Sequence, residues 1–388
     1  MPLKVEKIIR ESLSKENDFL RNTESENKKV YKLLISLWFY IYNNQITDES
    51  VINLNCYTSI NNKRLDKFKV TIKQKIYRYK YFLGMLEKAD LIDVNKKYSS
   101  GRFCKSYRIL TSVLNGNFEE AEIDYKKVFH NLKNQKYWLQ KYPNHNKQIK
   151  DSYKVSIDLT KYYRWLKKNI GIELKPIIKN GMVIKRELNE ERIFEYLNSV
   201  LKINYKNLWF KISDEGRFYS SLTNMSYTTL QFTKLGGKEI REVDVKNCQP
   251  LFLSSLIDNP SYRKDVEDGV FYDVMARELG KTRNQFKVLS YQFIFFSNRN
   301  LSSGKIYDSL NKLYPNFVNQ INELRKEIHI SKKLQQLESK ILVDKIGTLD
   351  FEMMLRHDAV FVHDEDYEIV CNHVREEFAK LDLKVQIK

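Results

Sequence analysis

Residues 334–381 read LQQLESKILVDKIGTLDFEMMLRHDAVFVHDEDYEIVCNHVREEFAKL. An amphipathic helix leads to a β-prone run, Phe351 to Leu355, then to His357-Asp358, then to a second run, Ala359 to Val362. An acidic turn at residues 363–366 opens a closing helix, Tyr367 to Phe378. Two short strands joined at a His-Asp tip predict a hairpin that presents one carboxylate beside a partner strand.

The partner is expected in EIREVDVKNCQPLFLSSLI, residues 239–257. There Ile240, Val243 and Val245 surround Asp244, and a helix-like apolar run follows. A carboxylate at a strand end that opens onto a helix is a common way to hold a hard cation. Many surface strands also end in Asp, so the segment carries weight only with the hairpin. Two facing carboxylates need cations between them, and two Mg²⁺ ions, or Mn²⁺, fit that need.

A third segment, GKTRNQFKVLSYQFIFFSN at residues 280–298, repeats Arg283, Lys287, Tyr291 and Phe295 every four residues. On a helix this sets two cations and two aromatics along one slowly drifting face. Such a face holds a triphosphate on the cations and stacks a base on the rings. The competing reading is an amphipathic core helix whose Lys and Arg point to solvent.

Together, and in this order, the segments resemble the palm and fingers of family A nucleic-acid polymerases, the DNA polymerase I class. Motif A of that family is an apolar strand ending in a metal-binding Asp, here VDVKNCQP with Asp244. Motif B is Arg-x3-Lys-x3-Phe/Tyr-x3-Tyr; Arg283, Lys287 and Tyr291 match, and Phe295 replaces the last Tyr. Motif C is a hairpin carrying His-Asp, here His357-Asp358. Upstream, Gly216-Arg217-Phe218 with Ser220-Ser221 resembles a segment that contacts the primer–template minor groove.

The resemblance spans about residues 214–380 and implies a division of labour. Asp244 and Asp358 would hold two Mg²⁺ ions, and Arg283 and Lys287 the triphosphate, with Lys287 also a general acid. Tyr291 and Phe295 would meet the incoming nucleotide, Arg217 the minor groove, and Glu338 would orient the site. The family has a Glu five residues after the motif A Asp, closing the pocket against a 2′-hydroxyl; here Gln249 stands there, which leaves the sugar preference open. A second His-Asp pair, His363-Asp364, sits in a charged run, so Asp364 is expected to serve as a helix cap or dipole partner. The N-terminal half lacks the acidic pattern of a proofreading exonuclease, which points to a specialised phage or mobile-element type.

Outward from this half, the charge is uneven. Of the formal net charge of +18, residues 51–200 carry +16, from 31 basic and 15 acidic residues. A polyanion, nucleic acid by default, explains such a block. The competing reading is general solubility in a chain from an AT-rich genome, which inflates Lys, Asn and Tyr. Residues 65–89 (LDKFKVTIKQKIYRYKYFLGMLEKA) predict a long basic helix, and residues 91–110 a basic hairpin around Ser-Ser-Gly. A basic helix followed by a basic hairpin resembles a winged helix, in which the helix enters a groove and the hairpin touches phosphates. Lys73 and Arg78 on the helix, and Arg102, Lys105 and Arg108 on the wing, are the candidate DNA contacts.

The expected architecture is α+β. A winged-helix-like module (1–115) and a basic, helical, thumb-like connector (116–206) precede a polymerase-like palm and helical fingers (207–388). The charged N-terminus has no signal-type apolar run, and the longest early apolar stretch is too short to span a bilayer. Cys56, Cys104, Cys248 and Cys371 stand far apart, without a CxxC pair or HExxH. A cytoplasmic protein is expected, with no membrane, acting on a DNA template and primer with nucleoside triphosphates and beside other replication proteins. Two alternatives stand: a primase or RNA polymerase using ribonucleotides, and a DNA-binding replication-initiation protein with a degenerate palm.

Overall fold

Every residue of Ala359–Val362 is buried, which a strand reaches only with neighbours on both edges and cover on both faces. In the computed structural model it is the middle strand of a three-stranded antiparallel sheet, between Arg241–Asp244 and Met353–Arg356. Ala359 pairs with Asp244 on one side and with Arg356 on the other. The structure describes residues 3–16, 22–47, 57–95, 105–110, 112, 114, 122–128, 135–179, 182–297, 299–356 and 359–388. Arg102, His357 and Asp358 lie outside the described residues.

The chain is mixed α and β, and its strands lie in small antiparallel sheets. It packs as two units, Met1–Leu132 with Asp158–Asn207, and Lys133–Ile157 with Leu208–Lys388. Residues 133–157, part of the expected connector, thus belong with the C-terminal half.

In the first unit the helix Glu24–Thr47 is central. Its LLISLWFYIY stretch, residues 33–42, is buried on all sides, so other elements must surround it. A sheet of Thr58–Ser59, Ser106–Ile109 and Ile92–Asn95 packs in the same core. The strands Ile92–Asn95 and Ser106–Ile109 are the expected basic hairpin, paired antiparallel.

The long helix expected over 65–89 is corrected. Lys69–Ile72 and Lys75–Arg78 form an antiparallel hairpin, and only Tyr79–Lys88 is helical. The hairpin turns at Lys73 (φ 46°) and Gln74 (φ 68°), the left-handed backbone of a tight two-residue turn. KVTI and KIYR alternate with period two and carry β-branched residues, and that pattern prevails over the helical spacing of the same apolar positions. The expected helical connector is also interrupted by the strand Val155–Ile157 and by a hairpin of Glu173–Lys179 with Met182–Glu187.

In the second unit, the helices Ile330–Leu342 and Tyr367–Ala379 pack together, and Ile330–Leu342 also packs on Cys248–Ser254. Phe252 stacks on Phe378 at 5.1 Å between ring centroids, tying the helix after Asp244 to the closing helix. A helical layer follows, Pro260–Glu267, Phe271–Glu278 and Arg283–Ser290, held by buried Tyr262, Phe271 and Phe286 and, further on, Tyr314 and Phe317. Aromatic rings of this size dominate the burial energy of such a layer. Among the described residues, no helix is long and apolar enough to cross a membrane.

Candidate active site

Asp244 ends its strand, and the chain turns at once into the helix Cys248–Ser254 through Asn247, whose φ of 54° is left-handed. Asn accepts that conformation more readily than most residues. On the other wall, the helix Arg283–Ser290 is started by a capping box: Thr282 accepts from the Gln285 backbone and Gln285 from that of Thr282. Directly after Ser290 the helix widens into one π turn, Tyr291–Phe295, a rare geometry that recurs at functional sites.

These two stretches line one cleft of about 540 Å³. Asp244, Asn247 and Gln249 come from the first, and Arg283, Lys287 and Tyr291 from the second. Tyr272 and Asp273, on the intervening helix, complete the wall. Arg283 Nε lies 3.2 Å from Asp273 Oδ2, and the Arg283 and Lys287 cations sit 5.4 and 5.8 Å from the Tyr272 ring centre. Burial, with Tyr291 next, holds the Tyr272 hydroxyl well above its ordinary pKa, so it stays protonated and able to donate. Tyr291 stacks on Phe296 with centroids 5.2 Å apart and planes at 19°.

Phe295 is placed otherwise than the sequence suggests. It is fully buried, packs edge-on against Tyr291 at 5.7 Å, and does not line the cleft. The one-residue surplus of the π turn brings the exposed Phe296 under Tyr291 instead.

Behind the cleft lies a buried ion pair. Glu338 is 2% exposed, and its Oε2 accepts from Arg217 Nη2 at 2.7 Å and from Gln249 Nε2. Burial opposes the charge on Arg217, but the adjacent carboxylate outweighs it and raises the guanidinium pKa. Gly216 makes this approach possible: its φ is +84°, and a Cβ there would meet Ser339 at 3.3 Å. Arg217 is therefore turned inward, while the sequence reading set it against a minor groove. Gln249 Oε1 and both polar side-chain atoms of Asn247 are buried without a hydrogen-bond partner among the described residues.

Two further groups escaped the sequence reading. Residues 386–388 pair beyond Asp244, with Lys388 N donating to Asp244 O at 2.9 Å and Lys246 N to Gln386 O at 2.9 Å. This sets the Lys388 ammonium 3.9 Å from Asp244 Oδ2. The other is Tyr272, in a stretch (FYDVMARE) that reads as an ordinary amphipathic helix.

Asp364 is not the helix cap, a place taken by His363 and Asp366, but it does stand in the acidic first turn at the helix start, as a dipole partner would, and it pairs with Arg241 at 3.2 Å. Arg241 pairs with Val362 and Asp244 with Ala359, so Asp364 lies at the far end of the ladder from Asp244. His363 is buried between Glu352 Oε2, at 3.2 Å, and the Glu239 carbonyl, at 3.4 Å.

In the first unit, Arg108 Nη2 contacts Asp93 at 2.8 Å and the guanidinium covers the Tyr57 ring at 4.9 Å, so Arg108 is engaged within the sheet. Lys105 leads into that strand, Lys73 sits in the hairpin turn, and Arg78 ends a strand; none is on a long helix.

Among the described residues no group of three or more His, Cys, Asp or Glu is arranged to hold a metal. The cleft nonetheless presents one hard donor, the Asp244 carboxylate, beside the Arg283 and Lys287 cations. Mg²⁺ is commonly held by one or two carboxylates plus substrate phosphates, and these residues fit such a set. Compared with known proteins, the chain matches no family model and no curated protein sequence.

Proposed function

We propose that the protein is a template-directed nucleotidyltransferase of the family A polymerase type, adding nucleotides to a strand on a DNA template. One observation carries the reading. Asp244 and Gln249 line the same cleft as Arg283, Lys287 and Tyr291, although the two sets come from separate stretches of sequence. Carboxylate, paired cations and an aromatic face are the parts that phosphoryl transfer from a nucleoside triphosphate requires.

In this reading Arg283 and Lys287 bind the triphosphate oxygens and draw charge from the leaving group. Tyr291, supported by Phe296, offers a flat face to the base. Two divalent cations, when bound at Asp244 and Asp358, supply charge neutralisation and lower the pKa of the attacking hydroxyl. The primer 3′-hydroxyl attacks the α-phosphorus and releases its proton to water, the bond to the β-phosphate oxygen breaks, and Lys287 gives its own proton to the departing pyrophosphate and is reprotonated from solvent. The first unit, which carries most of the excess positive charge, grips the duplex. Its antiparallel hairpin and preceding helices support a winged-helix-like module.

A second reading is favoured by the Lys388 ammonium beside Asp244. A cation placed there would compete with a divalent ion and suit a DNA-binding replication-initiation protein whose cleft no longer turns over.

The test is primer extension and de novo synthesis on single-stranded DNA with Mg²⁺ or Mn²⁺. Incorporation that disappears in Asp244→Ala supports the enzyme. Tight DNA binding without incorporation under any condition favours the second reading.

A further inference from the structure

The antiparallel hairpin Lys69–Arg78 has two unlike faces. Its register sets Lys69 opposite Arg78, Val70 opposite Tyr77, Thr71 opposite Ile76 and Ile72 opposite Lys75. Side chains alternate along each strand, and Ile72 and Tyr77 are buried in the first unit's core with Val70 packed against it. Lys75 shares that side, its ammonium 4.8 Å from the Tyr77 ring centre. The opposite face, Lys69, Thr71, Ile76 and Arg78, is exposed, with Ile76 at 56%. Lys73 and Gln74 form the tip. The hairpin contains Lys69, Lys73, Lys75 and Arg78 and no acidic residue. The helix that follows, Tyr79–Lys88, offers much less to a polyanion. Tyr79, Phe82, Leu83, Met85 and Leu86 are buried. Glu16 accepts from the Tyr81 hydroxyl at 3.1 Å and lies 3.8 Å from the Lys88 ammonium, so an acid stands against this helix.

We propose that the hairpin Lys69–Arg78 is a two-stranded ribbon that enters the major groove of duplex DNA, with Lys69, Lys73 and Arg78 on phosphates and the Thr71–Ile76 pair against base edges. The inference rests on the reading of the first unit as the part that grips the duplex, and deepens it by naming the element and the groove. The major groove of B-form DNA admits a two-stranded ribbon, and the thymine methyl groups there give Thr71 and Ile76 an apolar contact. Charge complementarity supplies the affinity: each cation set on a phosphate releases a bound counterion. Duplex RNA does not fit, because its major groove is too deep and narrow for side chains to read. A single strand does not fit either. Single strands are held by stacking bases on aromatic side chains, and the outward face of the hairpin carries none, since its one aromatic residue, Tyr77, is buried in the core.

The experiment uses the full chain and a mixed-sequence DNA duplex, with affinity followed by fluorescence anisotropy over a range of salt concentrations. Lys69→Ala combined with Arg78→Ala should weaken duplex binding roughly tenfold or more and lower the slope of log affinity against log salt by about 2, one phosphate for each cation. Ile76→Ala should weaken binding about threefold with the slope unchanged, and a duplex with uracil in place of thymine should erase that difference. Wild type should shield guanine N7, which faces the major groove, from dimethyl sulfate, and the double variant should not. The substituted side chains are exposed, so the melting temperature should stay at the wild-type value, and Ile76→Ala alone carries the test if the double variant melts early. Lys88→Ala, on the following helix, should bind as wild type does. Wild-type affinity and salt slope in the double variant overturn the inference. So does guanine N7 left open to methylation, or tighter binding of single-stranded DNA or duplex RNA than of duplex DNA. Ribbon-dependent duplex binding without any nucleotide incorporation keeps the groove assignment and removes the polymerase reading. Incorporation that persists while binding ignores the ribbon removes the groove assignment alone.

Discussion

Asp244 stands directly opposite Ala359 in the antiparallel ladder, and Ala359 follows Asp358 in sequence. Asp364 follows the other end of the same strand and is tied to Arg241. At about 3.4 Å per residue the two ends of this ladder are roughly 10 Å apart, too far for both to serve one pair of ions. Asp244→Ala and Asp358→Ala should each lower incorporation roughly 10³-fold, the scale of several kcal/mol of charge stabilisation. Asp364→Ala should stay within about threefold of wild type. Steady-state primer extension measures all three, and a severe loss in Asp364→Ala alone would transfer the metal role to the second His-Asp pair.

Arg283 and Lys287 share the Tyr272 face, but among the described residues only Arg283 has an acidic partner there, Asp273 at 3.2 Å. That pair is about half exposed, so it restrains Arg283 only weakly. Lys287→Ala should lower kcat by roughly 10²-fold, as loss of a general acid does, and raise KM as well. Asp273→Ala should leave kcat near wild type and lower KM for the triphosphate two- to threefold by releasing Arg283. A pH–rate profile for Lys287→Ala that keeps the wild-type basic limb would argue against proton donation by Lys287.

Much of the site was legible because its parts obey short-range rules. A buried AVFV run must be a central strand, and the four-residue recurrence of Arg283, Lys287 and Tyr291 must share a helix face. Phe295 was misplaced because a π turn adds a residue that no periodicity announces. Arg217 was assigned outward because its partner Glu338 lies far along the chain, and a long-range ion pair leaves no local pattern. The hairpin over 69–78 was read as helix because its apolar positions satisfy both periods and its turn lacks the usual Asn-Gly. The Lys388 contact arises from a short ladder between distant segments, which single-sequence patterns do not encode.

The Arg217–Glu338 pair is mostly buried, so removing one member leaves the other charged and desolvated. Arg217→Ala should destabilise the chain by about 3 kcal/mol. Arg217→Lys should recover only part of that loss, since an ammonium cannot reproduce the planar donor set. Urea unfolding reports both; a change below about 1 kcal/mol in Arg217→Ala would mean that water reaches Glu338 once the guanidinium is gone.

In the first unit, burial first and Arg64 second push the Lys67 pKa down to about 8, with Asp124 opposing. Its ammonium nitrogen is buried without a hydrogen-bond partner among the described residues, over the Tyr40 ring at 4.3 Å. A lysine depressed in the folded state makes the unfolded chain bind more protons between pH 8 and its ordinary pKa of 10.5, so stability rises across that window. Below pH 8 both states are protonated and the penalty is constant. Lys67→Met should therefore stabilise the protein by on the order of 1 kcal/mol at pH 7, after allowance for the lost cation–π contact. The difference should shrink as pH rises from 8 to 10. Denaturation of wild type and variant at both pH values gives the comparison; a gap that does not change with pH would assign the effect to packing.

Lys388 bears on metal binding at the cleft. Its side chain is 65% exposed and its ammonium lies 3.9 Å from Asp244, so the attraction is weak and screened by salt. A divalent cation on Asp244 must displace or repel it. Lys388→Ala should then lower the Mg²⁺ concentration for half-maximal incorporation two- to threefold at low salt, with the difference fading near 1 M salt. Lys388→Glu should lower it further, by adding a carboxylate beside Asp244. If Lys388→Ala instead raises the Mg²⁺ requirement, the ammonium works with the bound phosphates, and its place beside Asp244 is part of the substrate site.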